Sequence, residues 1–454
     1  MKKSREGMKE ELLEVAKKMI EKVVDWSEKN EQAKMREIEG IVEGIQREFG
    51  VKMAEKVIEQ QEEARGVPGP KCSKCGKEMH NKGSQSKQVT SWVGELRLKR
   101  RYYYCEGCKE GRFPLDEELE LCDTHWSERV VQAVVWVSGV VDSYAAGEAV
   151  LKRIGKLSLS DTSVWRRVEK WGGVWSKVDE ENEKKANALP SPEDVFQLPQ
   201  AEIPRLGAAM DGAMVNIRQE GWKELKVGCL FEIEQQPTLD GTTQEMVEQG
   251  HAIQTTYVAH LGGPERFGRL LWKEAQHRGW EHATDTQVVG DGAAWIWNLS
   301  DLHLAPNQQT VDWYHATEHL HTAAQLAYPN ESAAAVRWYN ACETLLFQGQ
   351  AETVVLKISH LAQRFPAQAA ALASQALYFE HNKRRMNYME LREDGYLIGS
   401  GVVESAAKQF KARFTGPGMR WSRDGLSHLL PIRSAVMGDT FDLLWPSIYS
   451  FSLN

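Results

Sequence analysis

At 454 residues the chain is longer than one ordinary hydrophobic core organises, and roughly two to four domains are expected. A hydrophobic share of 42% with 26% charged residues excludes a disordered chain, and no run approaches the roughly 20 apolar residues of a membrane span. The formal charge of −8 argues against a polyanionic partner for the chain as a whole, but Lys71 to Pro114 carries 11 Lys and Arg against 4 Glu, a local +7. Such a basic module inside an acidic chain is a better electrostatic footprint than the average. After Met1, Lys2 and Lys3, the charges of Glu10, Glu11, Lys17 and Lys18 interrupt any apolar leader, so the expected compartment is the cytoplasm.

Residues 1–66 interleave 14 basic and 16 acidic residues, with Leu12, Val15, Met19 and Val23, then Ile38, Ile41 and Ile45, at steps of three and four. This spacing predicts amphipathic helices, read either as a hairpin with solvated charges or as a dimerisation element. Gly66-Val-Pro-Gly-Pro70 then breaks the pattern. In residues 67–120, Cys72-x-x-Cys75 and Cys105-x-x-Cys108 stand 29 residues apart around an alternating run, Gln88 to Tyr104, that predicts a β-hairpin. Each C-x-x-C turn presents two thiolates to one point, and the hairpin brings the turns together. One structural Zn²⁺ on Cys72, Cys75, Cys105 and Cys108, in a zinc ribbon, is expected; four unrelated thiols are the alternative. An odd total of seven cysteines disfavours a disulfide framework. Arg97, Lys99, Arg100 and Arg101, interleaved with Trp92, Tyr102, Tyr103 and Tyr104, suit DNA phosphate contacts.

Residues 121–185 read as a helix-turn-helix region. A helix over Ser143–Ile154 ends at Gly155, and Ser160 caps a second that runs to Trp171. Thr162, Ser163, Arg166 and Arg167 near its start are residue types that read base edges, while Val164, Val168 and Trp171 would face a core. Plain helix packing is the alternative. Residues 186–204, with Pro190, Pro192, Pro199 and Pro204, read as a linker.

From residue 205 the grammar changes. Leu206–Ile217, Leu225–Ile233 and Thr255–His260 predict strands, Pro264–Trp280 a helix, and Thr286–Val289 and Gln309–Asp312 short strands. His315 to about Tyr388 is almost wholly helical, and Val402 to about Arg413 is a last helix. This is an α/β domain over 205–437 with an all-helical insertion over about 316–396, followed by a tail at 438–454.

Asp211 lies in the apolar strand Ala208-Ala-Met-Asp-Gly-Ala-Met214, Asp291 closes Gln287-Val-Val-Gly-Asp-Gly292, and Glu404 opens the helix after Gly399-Ser-Gly401. A carboxylate inside an apolar strand is costly unless a cation compensates it. Acid on a first strand, acid at a later strand end and acid on a late helix fit a ribonuclease-H-like site for two Mg²⁺ or Mn²⁺ ions. Lys408 and Lys411, four and seven residues after Glu404, share its helical face and would hold DNA phosphates, with Arg413, Arg420 and Arg423 extending the basic surface.

Ala209-Met-Asp-Gly212, Val288-Val-Gly-Asp-Gly-Ala293, Asp312-Trp-Tyr-His315 and Gly399-Ser-Gly-Val-Val-Glu-Ser405 together resemble the bacterial insertion-sequence DDE transposases of the Kra group, within the mutator-like superfamily. The resemblance covers most of the chain. It implies an RNase H-like catalytic domain with Asp211, Asp291 and Glu404 as catalytic acids and Asp312 with His315 as an accessory pair. It also implies double-stranded DNA (element ends and target) as substrate, a homodimer or higher assembly, and a location at the bacterial nucleoid. An inactive or domesticated relative acting as a sequence-specific DNA-binding protein is the non-enzymatic alternative. A remoter one is a zinc metalloprotease, since His315-x-x-Glu318-His319 matches the inverted zincin pattern.

Overall fold

The computed structural model describes residues 5–64, 69–188, 204–239, 246–329, 333–416 and 418–452. The chain divides into two compact units, one formed by Met1–Ser138, Tyr144–Val168 and Trp445–Asn454, the other by Gly139–Ser143 and Glu169–Leu444. Most of the expected linker, with Pro190, Pro192 and Pro199, lies outside the described residues, as does the 66–68 part of the Gly-Pro break. Among the described residues no helix is long and apolar enough to cross a membrane.

The first unit begins with helices α1 (Arg5–Lys29) and α2 (Met35–Ala64). Ion pairs between Lys22 and Glu48 (2.6 Å) and between Lys56 and Glu11 (3.2 Å) show that they run antiparallel. Strands β1 (His80–Ser91), β2 (Gly94–Cys105) and β3 (Glu110–Arg112) form an antiparallel sheet in that order. The predicted hairpin is present, and its first strand starts eight residues earlier than the alternation indicates because His80–Lys87 has no buried side chain to create a pattern. The free edge of β2 is covered by α2: the N–H groups of Arg97 and Arg101 donate to Glu55 (2.9 Å) and Glu62 (2.8 Å), two carboxylates seven residues apart on one helical face. Helices α3 (Pro114–Glu118), α4 (Glu128–Val140) and α5 (Tyr144–Arg153) follow.

Helix α6 (Asp161–Ala186) is one continuous element well past Trp171, where the sequence reading ended it. Ser160 does cap it, its Oγ accepting from the Ser163 N–H at 3.3 Å. Val164, Val168 and Trp171 are all fully buried, as their spacing predicts.

The second unit holds a mixed sheet of order β6-β5-β4-β7-β8. Strands β4 (Leu206–Ile217), β5 (Gly221–Leu239) and β6 (Met246–Leu261) form an antiparallel meander, and β7 (Thr286–Gly290) and β8 (Gln308–Val311) add in parallel. Strands β5 and β6 extend well beyond their predicted cores. Their outer halves, such as Met246–Gln254, are polar and half-exposed, so they carry no hydrophobic signal and form by pairing. Helices α7 (Pro264–His277) and α8 (Ala294–Leu299) flank β7. The all-helical stretch comprises α9 (Trp313–Ala327), α10 (Ala333–Phe347), α11 (Ala351–Arg364), α12 (Ala369–Asn382) and α13 (Tyr388–Glu393). One apolar cluster runs from Ala208 and Met210 in the sheet through Phe267 and Val288 to Leu320, Leu346, Ile358 and Phe379 in these helices.

Helix α14 (Gly401–Phe414) buries Val403, Ala406, Ala407, Phe410 and Phe414. Helix α15 (Arg423–Met437) follows, and residues 438–454, expected only as a tail, contain α16 (Phe441–Phe451). In the first unit Trp445 of that helix is buried and donates to Glu128 (3.2 Å), and Tyr449 donates to the Glu120 carbonyl (2.6 Å).

Candidate metal centres and nucleic-acid contacts

In the first unit the Sγ atoms of Cys72, Cys75, Cys105 and Cys108 all lie within 4.8 Å of one another, with Cys75 and Cys105 3.7 Å apart. The N–H groups of Cys75 and Lys74 point at the Cys72 sulfur and hold its pKa down at about 7. Cys108, crowded by the Cys75 thiol, is pushed up to about 12. Four thiols converging on one point cannot all ionise without a cation between them, and the donor set is that of a closed tetrahedral zinc site. The four residues fit a structural Zn²⁺.

The local excess of positive charge around this ribbon is largely paired internally. Lys74 meets Glu110 (2.6 Å), Lys82 meets Glu106 (3.0 Å), and Arg112 forks onto Glu117 (2.5 Å). Arg100, expected as a DNA contact, is instead buried, pairs with Asp116 and stacks 3.8 Å above the Phe113 ring. Its position inside the alternation of β2 turns it to the core, whereas Arg97 and Lys99 stay exposed. Arg101 lies against Glu62 (3.9 Å). Near the start of α6, Thr162 and Arg166 are exposed, but Arg167 pairs with Asp123 (2.9 Å) and stacks 4.1 Å from the Trp126 ring, and Ser163 serves the cap.

In the second unit the acids are placed by strand register. The last paired residues of the parallel β4–β7 ladder are Ala209 and Val289, so Asp211 lies two residues farther along β4 and Asp291 just beyond the end of β7. Glu404 sits in the first turn of α14, whose opposite side packs on the sheet. Burial, then the charges of Asp291 and Glu404, push the Asp211 pKa above the ordinary carboxylate value, against a hydrogen bond from the Gly212 N–H (2.6 Å) and the nearby Lys411 cation. The three acids are more widely spaced than the cysteines, which are the group meeting the 4.8 Å spacing among the described residues. A half-buried carboxylate whose pKa is raised by burial and by two neighbouring acids is a group that a hard cation would relieve.

Lys408 and Lys411 are exposed on the Glu404 face, with Lys408 Nζ 3.5 Å from Glu404 Oε2. Arg413, expected beside them, faces the other way: it is 1% exposed and donates to the Asp142 carbonyl (2.9 Å). Arg423 is held by Glu220 (2.6 Å). Helical phase places Arg413 two residues past Lys411, on the buried side of α14.

Asp312 follows β8 directly and is 1% exposed. Its Oδ1 accepts the His315 N–H (2.7 Å), capping α9, and its Oδ2 accepts the N–H of Ser400, the residue that begins α14. The Trp313 N–H donates to the Ile398 carbonyl (2.8 Å). The Asp312-x-x-His315 segment thus grips the chain that leads into the Glu404 helix.

His315 is partly exposed, 3.7 Å from Glu318 and 5.1 Å, ring to ring, from His319. The face of His319 stacks on Tyr378 at 3.7 Å and its Nδ1 lies 2.6 Å from Gln375 Oε1. Burial holds it below the usual histidine pKa. Among the described residues His315, Glu318 and His319 do not form a group of donor atoms close enough to hold a metal ion.

Tyr378 was not legible as a site residue. Its hydroxyl donates to the Asp291 carbonyl (3.0 Å), and a Cβ at Gly292, whose φ is +101°, would lie 2.8 Å from its ring. Both the backbone conformation and the close approach of Tyr378 demand glycine there. Asp291 itself accepts from the Ala293 N–H (2.8 Å), which fixes the turn.

No family model and no curated protein matches this chain. Among solved structures, the Drosophila P element transposase strand transfer complex aligns at 10% identity over 73% of this chain and 84% of that chain, with a TM-score of 0.24. A likeness this loose fixes neither fold nor chemistry.

Proposed function

We propose that the chain is a DDE-type transposase of the Kra-type insertion-sequence group, with an RNase H-like catalytic domain and DNA as its substrate. The observation that carries this reading is that Asp291, just past the end of β7, and Glu404 are both close enough to Asp211 on the neighbouring strand β4 for their charges to raise its pKa. The mixed sheet, its order and the helical stretch between β8 and α14 support it.

Asp211, Asp291 and Glu404 would hold two Mg²⁺ or Mn²⁺ ions, which supply an activated oxygen nucleophile and neutralise a leaving oxygen of a phosphodiester. The chain's own groups do the rest. Tyr378 and the Ala293 N–H fix the Asp291 turn, and Asp312 ties the start of α14 so that Glu404 keeps its place. Lys408 and Lys411 would hold phosphates along the same face, and Arg97, Lys99, Thr162 and Arg166 are the remaining exposed candidates for contacts farther along the DNA. The proposed reaction is hydrolysis at an element end to free a 3′-hydroxyl, whose oxygen then attacks a target phosphodiester by in-line displacement.

Cleavage of labelled DNA spanning the element ends, with Mg²⁺ or Mn²⁺, tests this. Nicking by wild type that disappears in Asp291→Ala and in Glu404→Gln is expected. Tight binding without nicking by wild type would replace the reading with that of a DNA-binding relative.

A further inference from the structure

A cleft of about 850 Å³ opens beside the Glu404 helix, between the edge of β6, the start of α9 and the Gly399–Gly401 segment, and no step of the proposed cleavage uses it. Its walls offer flat or soft faces from Tyr314, Phe347 and Met389 and amide edges from Gln249 and Gln348. Arg392 faces it together with Glu343, so the lining is close to charge-balanced. Phosphate binding needs a surplus of positive charge, which this wall lacks. Stacking faces combined with amide hydrogen-bonding groups are what an unstacked nucleobase requires.

Two residues sharpen the assignment. Tyr314 is 66% exposed although it neighbours the fully buried Asp312, so its ring is presented rather than packed. Gly401, in the first turn of α14, has no positive φ, and a Cβ there would meet nothing within 4 Å. Neither conformation nor packing within the chain calls for glycine. A bare backbone at that point leaves room for a group that approaches from outside.

We propose that this cleft receives an unpaired nucleobase of the DNA strand being processed, stacked on Tyr314 while its sugar-phosphate passes over Gly401. The proposal rests on the DNA-cleaving reading above, since Glu404 lies one turn along the same helix. The test pairs fluorescence anisotropy of a labelled single-stranded oligonucleotide, in Ca²⁺, with photocrosslinking of 5-iodouracil placed along it. Tyr314→Ala should weaken binding roughly tenfold, while Tyr314→Phe, which keeps the stacking face, binds like wild type. Gly401→Ala should weaken binding while leaving the thermal midpoint unchanged or higher, and the crosslink should map to Tyr314. Full binding by both alanine variants, with crosslinks elsewhere, overturns the cleft and leaves the cleavage reading standing. Failure of wild type to bind any DNA overturns both.

Discussion

At the scale of single residues, the ionised Asp211 costs stability, because burial and then the Asp291 and Glu404 charges raise its pKa in the folded state. A carboxylate with a folded pKa above its unfolded value costs nothing when both states are protonated, and the cost grows as pH rises from the unfolded value through the folded one. Asp211→Asn should therefore raise the melting temperature of the metal-free protein at pH 7 while abolishing cleavage. Thermal unfolding in EDTA and in millimolar Mg²⁺ checks this: Mg²⁺ should stabilise wild type and leave the variant nearly unchanged. A variant less stable than wild type in EDTA would contradict the account. Asp312 behaves oppositely, because both its oxygens are used by backbone donors. Asp312→Asn leaves one acceptor for two N–H groups, so denaturant unfolding should show a loss of about 1–3 kcal/mol. Cleavage should fall by up to about 10²-fold as Glu404 loses its placement, whereas a purely structural role would leave cleavage by the folded fraction intact. The sequence showed Asp312 only through its motif, and the buried Arg100 and Arg413 only as charges. Residue type reveals charge, but partner and face depend on what folds against the side chain.

Among the elements, the cysteine end of the ribbon has little apolar material of its own, in contrast to Val89, Leu96 and Leu98 at the other end of the hairpin. Around the four cysteines the buried cluster adds only Met79 and Tyr103. A core this small needs a crosslink, so the metal is expected to supply its folding energy. Metal analysis should find one zinc per chain, and either a strong chelator or Cys105→Ser should expose Gly94–Cys105 to limited proteolysis. Proteolytic resistance unchanged after zinc removal would show that the sheet stands without it. This element was the most legible in sequence, since ligand spacing and strand alternation are local. The long outer halves of β5 and β6 were not, because their polar residues are ordered by cross-strand pairing rather than by a buried face.

At the scale of the whole molecule, α1 is 25 residues long but buries only Met19, while Leu13, Ile20 and Val24 on it and Met35, Ile38 and Val42 on α2 remain exposed. Apolar stripes on a charged helical hairpin fit a second copy of the same hairpin, whose interleaved charges are self-complementary. Light scattering should find a dimer or larger assembly for wild type, and Ile20→Glu combined with Ile38→Glu should shift it to monomer. A monomeric wild type would count against the homodimer or higher assembly that the family resemblance implies.

The sequence by itself determined the cysteine framework, the strand β4 to the residue and the helical character of 315 to about 388, and it singled out Asp211, Asp291 and Glu404 as the acids to test, because these signals reside in local spacing and in the cost of placing an acid among apolar neighbours. Only the tertiary structure decided which cations remain available, that Asp312 ties α9 to α14, and that Tyr378 supports Asp291 across 87 residues of chain. Those are matters of which surfaces meet, and contacts between residues far apart in sequence leave no periodic trace in it.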